Sequence, residues 1–106
     1  MSTTPKPIYE DPVHIDSRHY QVEFESDRVR VIRVKYGPHE KSPMHGHPES
    51  VAVFLTANRG QFNFPNGSSE VREWKAGQVM AIPGEIHAPE NLSDGPLELV
   101  LIEVKG

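Results

Sequence analysis

Gly77-Gln78-Val79-Met80-Ala81-Ile82-Pro83-Gly84-Glu85-Ile86-His87-Ala88-Pro89-Glu90-Asn91 is the stretch on which the reading of this chain turns. A glycine turn opens it, a short apolar β-type run follows, and Pro83-Gly84 punctuates before His87 and Asn91. Upstream, His45-Gly46-His47 sets two histidines two positions apart. Strand side chains repeat every two residues, so both imidazoles would point to one face. Neutral ring nitrogens on one face can converge on a single ion. Six histidines in 106 residues would produce roughly a third of such a pair by composition alone. The pair therefore draws its weight from its surroundings.

Those surroundings are β-type. Short runs at Tyr20–Glu25, Val29–Tyr36, Val51–Thr56, Gln61–Phe64, Val71–Trp74, Val79–Ile82 and Leu97–Val104 are separated by turn residues. Pro65-Asn66-Gly67 lies between two alternating segments and predicts a hairpin. Lys75-Ala76-Gly77 and Pro83-Gly84-Glu85 are further turns, and no stretch of helical length shows a 3.6-residue period. The pattern predicts an all-β sandwich or barrel. In Val29–Tyr36 the apolar set shifts phase, and Leu97–Val104 is apolar on both faces. One face can fill the barrel while the other meets a second sheet or subunit, so a homodimer is expected. Residues 1–18, with Pro5, Pro7 and Pro12, read as an N-terminal tail or arm, and residues 19–106 as a single domain.

Composition narrows the function. With 11 Lys and Arg against 15 Asp and Glu, the net charge is −4, which argues against nucleic acid or an anionic membrane as partner. The chain has no cysteine, so disulfides and thiolate metal sites are excluded. The first residues lack the apolar stretch of a signal peptide, and no window approaches a membrane span. A cytoplasmic location is expected.

Taken together, Gly77, Pro83, His87 and Asn91 resemble the second motif of the cupin superfamily. The segment around His45 and His47, with Gly37 upstream and Gly60 after the next strand, resembles the first. The resemblance spans about residues 37–91. It implies a cupin double-stranded β-helix, a jelly-roll barrel, with the two motifs on adjacent antiparallel strands and His45, His47 and His87 binding one divalent metal ion. Two departures stand out. The interval from Pro83 to His87 is one residue shorter than is usual in the family. The glutamate ligand that commonly follows the second histidine has no counterpart in Ser50-Val51-Ala52-Val53. Glu49 is the candidate fourth ligand, but Pro48 interrupts the strand before it, so Glu49 is expected in solvent. The three-histidine subset of cupins is the better match.

Three neutral ligands leave a divalent ion its full charge, favouring an anionic or chelating oxygen donor. Imidazole suits iron, zinc, copper and nickel, and manganese is a further candidate. By resemblance, iron(II) and a dioxygenase-like reaction on a small chelating substrate lead. The alternatives are a non-catalytic metal or small-ligand binder and a metal-free dimerisation module. No general base is evident. Met44, Phe54, Phe62, Phe64, Trp74 and Met80 are candidate pocket walls. Arg33, Arg59 or Arg72 would orient an anion if directed inward, and Asn91 is expected to support the His87 loop by hydrogen bonding. His14, His19 and His39 read as surface residues.

Overall fold

The computed structural model describes residues 10–106. Residues 1–9, half of the segment expected to be a tail, lie outside the described residues. Nine strands follow one short helix in this span: β1 (Tyr20–Glu25), β2 (Val29–Tyr36), β3 (His45–His47), β4 (Ser50–Phe54), β5 (Asn58–Asn63), β6 (Ser69–Trp74), β7 (Val79–Ile82), β8 (Glu85–Asn91) and β9 (Leu97–Val104).

The double-faced apolar pattern of β2 and β9 is explained by their place. They pair with each other along their full length and sit inside a five-stranded sheet, ordered β1-β2-β9-β4-β7. Residues opposite one another in an antiparallel pair share a face. One row of partners, Ile32, Leu101, Ala52 and Met80, turns inward. The adjacent row, Phe24, Val31, Ile102, Val51 and Ala81, turns outward. The phase shift in β2 is thus two faces of one regular strand. The register irregularity falls on its neighbour β1, between Val22 and Phe24.

The second sheet has four strands, ordered β3-β8-β5-β6, and every pairing in both sheets is antiparallel. Its inner face meets the first sheet through Trp74, which stacks on Phe54 at 4.6 Å. The core between the sheets gathers Tyr20, Ile32, Val34, Tyr36, Phe54, Leu97 and Leu101. Each large apolar side chain buried here contributes about 1.5–3 kcal/mol. The Pro65-Asn66-Gly67 hairpin joins β5 to β6. It closes with the Gly67 N–H donating to the Phe64 carbonyl at 3.0 Å, and Gly67 takes a left-handed φ of 87° that glycine adopts without strain.

Two differences from the sequence reading concern elements of low β propensity. The strands β3 and β8 were absent from the runs read by composition. β3 has three residues between Pro43 and Pro48, and β8 contains Pro89 and ends on asparagine, so tertiary pairing overrides local preference. The other difference is the one-turn helix α1 (Pro12–Ile15), too short to show a period. Asp11 caps it by accepting from the Val13 N–H at 3.1 Å, and proline occupies its first turn. Residues 10–16 fasten to both sheets, which are not closed into a barrel: the Gly46 N–H donates to the Glu10 carbonyl, and Arg30 grips Asp11 at 2.9 and 3.1 Å.

Candidate metal centre

β3 and β8 are neighbours, and their register sets His45 directly opposite His87 and His47 opposite Glu85. The two-residue repeat keeps His47 on the face of His45, so three rings meet. Their centroids lie 4.7 Å (His45–His47), 5.1 Å (His45–His87) and 5.0 Å (His47–His87) apart. One ligand nitrogen from each lies within 4.8 Å of the other two. Nitrogens on a tetrahedral ion at 2.0–2.1 Å stand about 3.4 Å apart, a gap that small ring rotations span. All three histidines are buried.

Hydrogen bonds assign the ring nitrogens. His45 Nδ1 lies 3.0 Å from the Pro43 carbonyl and 3.1 Å from Ser42 Oγ. The carbonyl can only accept, so Nδ1 carries the proton and Nε2 keeps its lone pair. His87 Nδ1 donates to Glu85 Oε1 at 2.7 Å, which leaves Nε2 as its free donor atom. Such outer partners are what fix metal-ligating imidazoles. Among the described residues, His45 Nε2 and His47 Nδ1 are buried with no hydrogen-bond partner. Orphaned buried nitrogens are costly, and coordinating an ion would satisfy them. The donor set fits a divalent metal.

Electrostatics keeps these rings neutral. Burial pushes His45 down to about 4, helped by the neighbouring His87 charge. His47 is held well below its ordinary value by burial and by His45 and His87. Burial lowers His87 as well, against the opposing pull of Glu85. Neutral imidazole is the ligating form.

The remaining candidates separate cleanly. His47 and His87 border a cavity of about 380 Å³ between the sheets, with Phe54, Phe62, Trp74 and Met80 in its wall. Met44 is exposed and lies outside it, because it precedes β3 on the loop. Phe64 is also outside, past the end of β5 and 5.8 Å from the Arg72 guanidinium. Glu49 is exposed at the loop after Pro48 and is no part of the histidine cluster. Asn91 does not reach His87: its amide donates to the Gly37 and Gly95 carbonyls at 3.1 and 3.0 Å and ties two loops together. Of the three arginines, Arg72 alone lines the cavity. Arg33 lies on the outer face between Glu23 and Glu98, and Arg59 is exposed.

Several residues were missed by sequence reasoning. His19, expected at the surface, is buried between Asp16 (2.8 Å) and Glu40 (3.1 Å) and stacks on Tyr36 at 4.2 Å. Tyr20 and Tyr36 meet through their hydroxyls at 2.6 Å and both line the cavity. The Tyr20 ring stands edge-on to His45 at 4.8 Å. Glu103 is buried against Arg30 at 2.8 Å. Parity was the available signal. Tyr36 follows Ile32 and Val34, and Glu103 follows Leu97, Leu99 and Leu101, on faces already read as apolar.

Two facing antiparallel sheets with a histidine cluster on adjacent strands define the class as a double-stranded β-helix. Comparison with solved structures agrees. A cupin domain from Bordetella pertussis superposes with a TM-score of 0.76 at 27% identity, over 82% of this chain and 92% of that one. An RmlC-like cupin from Methanocaldococcus jannaschii gives 0.61 at 15% identity, over 95% and 92%. The oxalate decarboxylase of Bacillus subtilis, which has Mn(II) centres, gives 0.57 at 22% identity over 72% of this chain, which spans only 21% of that longer protein. No family sequence model and no curated protein sequence matches. The chain has the cupin fold, a double-stranded β-helix. No helix among the described residues is long and apolar enough to cross a membrane.

Proposed function

We propose that this cupin binds one divalent metal ion through His45, His47 and His87 and uses it on a small oxygen-donor ligand, with dioxygenase-like chemistry at an iron(II) centre as the leading form. The observation that carries this is the pair of orphaned, buried imidazole nitrogens facing a third histidine whose outer nitrogen is already held by Glu85. Bound there, iron(II) would supply Lewis acidity and one-electron chemistry. The chain's own residues hold the rings neutral and oriented, line the cavity with a largely apolar wall, and place the hydroxyl-paired Tyr20 and Tyr36 in it. Metal-dependent action on small oxygen-rich acids has a parallel on this fold in the manganese-containing oxalate decarboxylase and in an oxalate oxidase that takes glycolate as a substrate analogue.

The test is elemental analysis of protein purified without oxygen, followed by oxygen uptake with small diketones, phenolic acids and thiols. One metal per chain, lost in both His47→Ala and His87→Ala with β-rich circular dichroism retained, is the expected result. Undiminished metal in either variant refutes the site. Iron with oxygen uptake supports turnover; zinc or nickel without uptake overturns the dioxygenase part and leaves a binding protein. The reading includes a homodimer through the outer face of the five-stranded sheet, where Phe24, Val79 and Val104 are more than half exposed. A monomer in sedimentation equilibrium refutes that part.

A further inference from the structure

The strand β6 alternates, and Arg72 shares its inward parity with Trp74 and Glu70. Arg72 is half-buried on the cavity wall, and a guanidinium taken even partly out of water needs partners. Its carbon lies 4.5 Å above the centre of the Phe62 ring, and that ring stands 5.1 Å from His87. Arg72 holds Glu85 with two hydrogen bonds, at 3.1 and 3.0 Å. Glu85 Oε1 is the same oxygen that accepts from His87 Nδ1. One carboxylate therefore joins the guanidinium to the histidine cluster. On its other edge Arg72 meets Glu70, at 3.1 and 3.4 Å.

These two partners are unequal. Glu85 is mostly buried at 19% exposure, whereas Glu70 is 55% exposed. A paired carboxylate that exposed is weakly held, so another carboxylate can take its place on Arg72. Guanidinium offers five donors in a planar fork matched to carboxylates. The surrounding charge agrees. Three neutral imidazoles leave the charge of a divalent ion uncompensated, and the carboxylate bonded to His87 is offset by Arg72. Arg72 is the one cationic side chain on the cavity wall, which Glu70 and Glu73 also border, so an incoming carboxylate has a single fixed positive partner there besides a metal at the histidines. Most of the remaining wall, including Val34, Phe54, Met80 and Leu99, is apolar. About 380 Å³ lies near the small end of ligand sites, which run from about 300 to 1,000 Å³.

We propose that the ligands of this cavity are small carboxylic acids with an apolar body, and that Arg72 binds their carboxylate in exchange for Glu70. The inference rests on the cavity being the ligand space of the metal centre. Arg72 acts as a positioning residue, turning the ligand's other end toward the histidines.

The test uses the full chain loaded with zinc, titrated calorimetrically with phenylacetate and with its uncharged analogue phenylacetamide. Phenylacetate is expected to bind, and phenylacetamide to bind about ten-fold more weakly or worse, the loss of a charge-assisted pair. Arg72→Gln lowers phenylacetate affinity by a similar factor and leaves phenylacetamide unchanged. Glu70→Gln removes the competitor and tightens phenylacetate binding several-fold, an effect that a purely structural Arg72 would not produce. No binding to the unmodified protein, equal affinity for acid and amide, or an unchanged Arg72→Gln variant overturns the proposal. If Arg72→Gln does not fold, Glu70→Gln decides: unchanged or weaker binding overturns it. Zinc content measured on the same samples separates the two readings. Retained zinc with Arg72-independent binding sinks this inference alone; Arg72-dependent binding by protein that cannot hold zinc sinks the metal reading alone.

Discussion

Replacing Glu85 by glutamine leaves all three imidazoles in place and perturbs only what stands behind one of them. Glu85 Oε1 accepts from His87 Nδ1 at 2.7 Å, a charge-assisted contact that holds the ring orientation and raises the basicity of Nε2. Loss of such an outer partner costs ten- to a hundred-fold in metal affinity, about 1.4–2.7 kcal/mol. Two features place this case near the lower bound. Arg72 already shares the carboxylate's charge through two hydrogen bonds, and the glutamine oxygen can still accept from Nδ1. The expected loss is about ten-fold. Competition between the protein and a chromophoric chelator for cobalt(II) or zinc measures it directly. Affinity equal to the unmodified protein would refute the role given to Glu85, and with it the assignment of His87 Nε2 as the metal-facing atom.

Further expectations follow from the same geometry. Ser42→Ala should weaken metal binding less than Glu85→Gln, because the Pro43 carbonyl still holds His45 Nδ1; an equal loss contradicts the tautomer assigned. Glu49→Gln should leave affinity within about two-fold, and a loss like that of His87→Ala would make Glu49 a ligand. Burial holds the Tyr20 phenol well above its usual range and raises Tyr36 too. Both stay protonated in the fold while the unfolded chain ionises near pH 10, so their contribution to stability is present below that pH and fades above it. An alkaline absorbance titration of Tyr20→Phe and Tyr36→Phe variants beside the parent should show both phenols resisting until unfolding; an ordinary transition for either refutes this. Glu103→Ala strips a buried partner from Arg30 and should cost about 3 kcal/mol in denaturant unfolding, the low end for broken buried pairs because Asp11 remains. A change under about 0.5 kcal/mol would show the pair to be idle.

Much of this was legible because strand periodicity is strict. The bounds of β1, β2, β7 and β9 match the runs read from composition, all being rich in branched or aromatic residues. The histidine cluster was legible for a different reason, as two motifs in the right order whose elements have no strand-like composition of their own. What stayed hidden is pairing. Glu85 was hidden because it was read as part of the Pro83-Gly84-Glu85 turn; it instead opens β8 and so shares the face of His87, two residues on. Asn91 fits its motif yet serves another task, because the residues it ties, Gly37 and Gly95, flank loops that only tertiary folding brings together. His19 misled for the same reason: its partners Asp16 and Glu40 arrive from opposite sides.

The division of labour between the two sheets has a mechanistic consequence. Every imidazole of the cluster, the glutamate behind His87 and the cavity arginine lie on the four-stranded sheet, on β3, β8 and β6. The five-stranded sheet contributes the opposite wall, including Val34, Ala52, Phe54 and Met80. Ladder hydrogen bonds run within each sheet, and the sheets meet through side-chain packing. A volume change such as Met80→Ala therefore reshapes the ligand space without moving the backbone that sets the histidine register. Ligand size selection and metal affinity should accordingly vary independently on this scaffold. Glu85 is the exception, bonded at once to a histidine of the cluster and to the arginine that faces the ligand, so a carboxylate engaging Arg72 would be felt at His87.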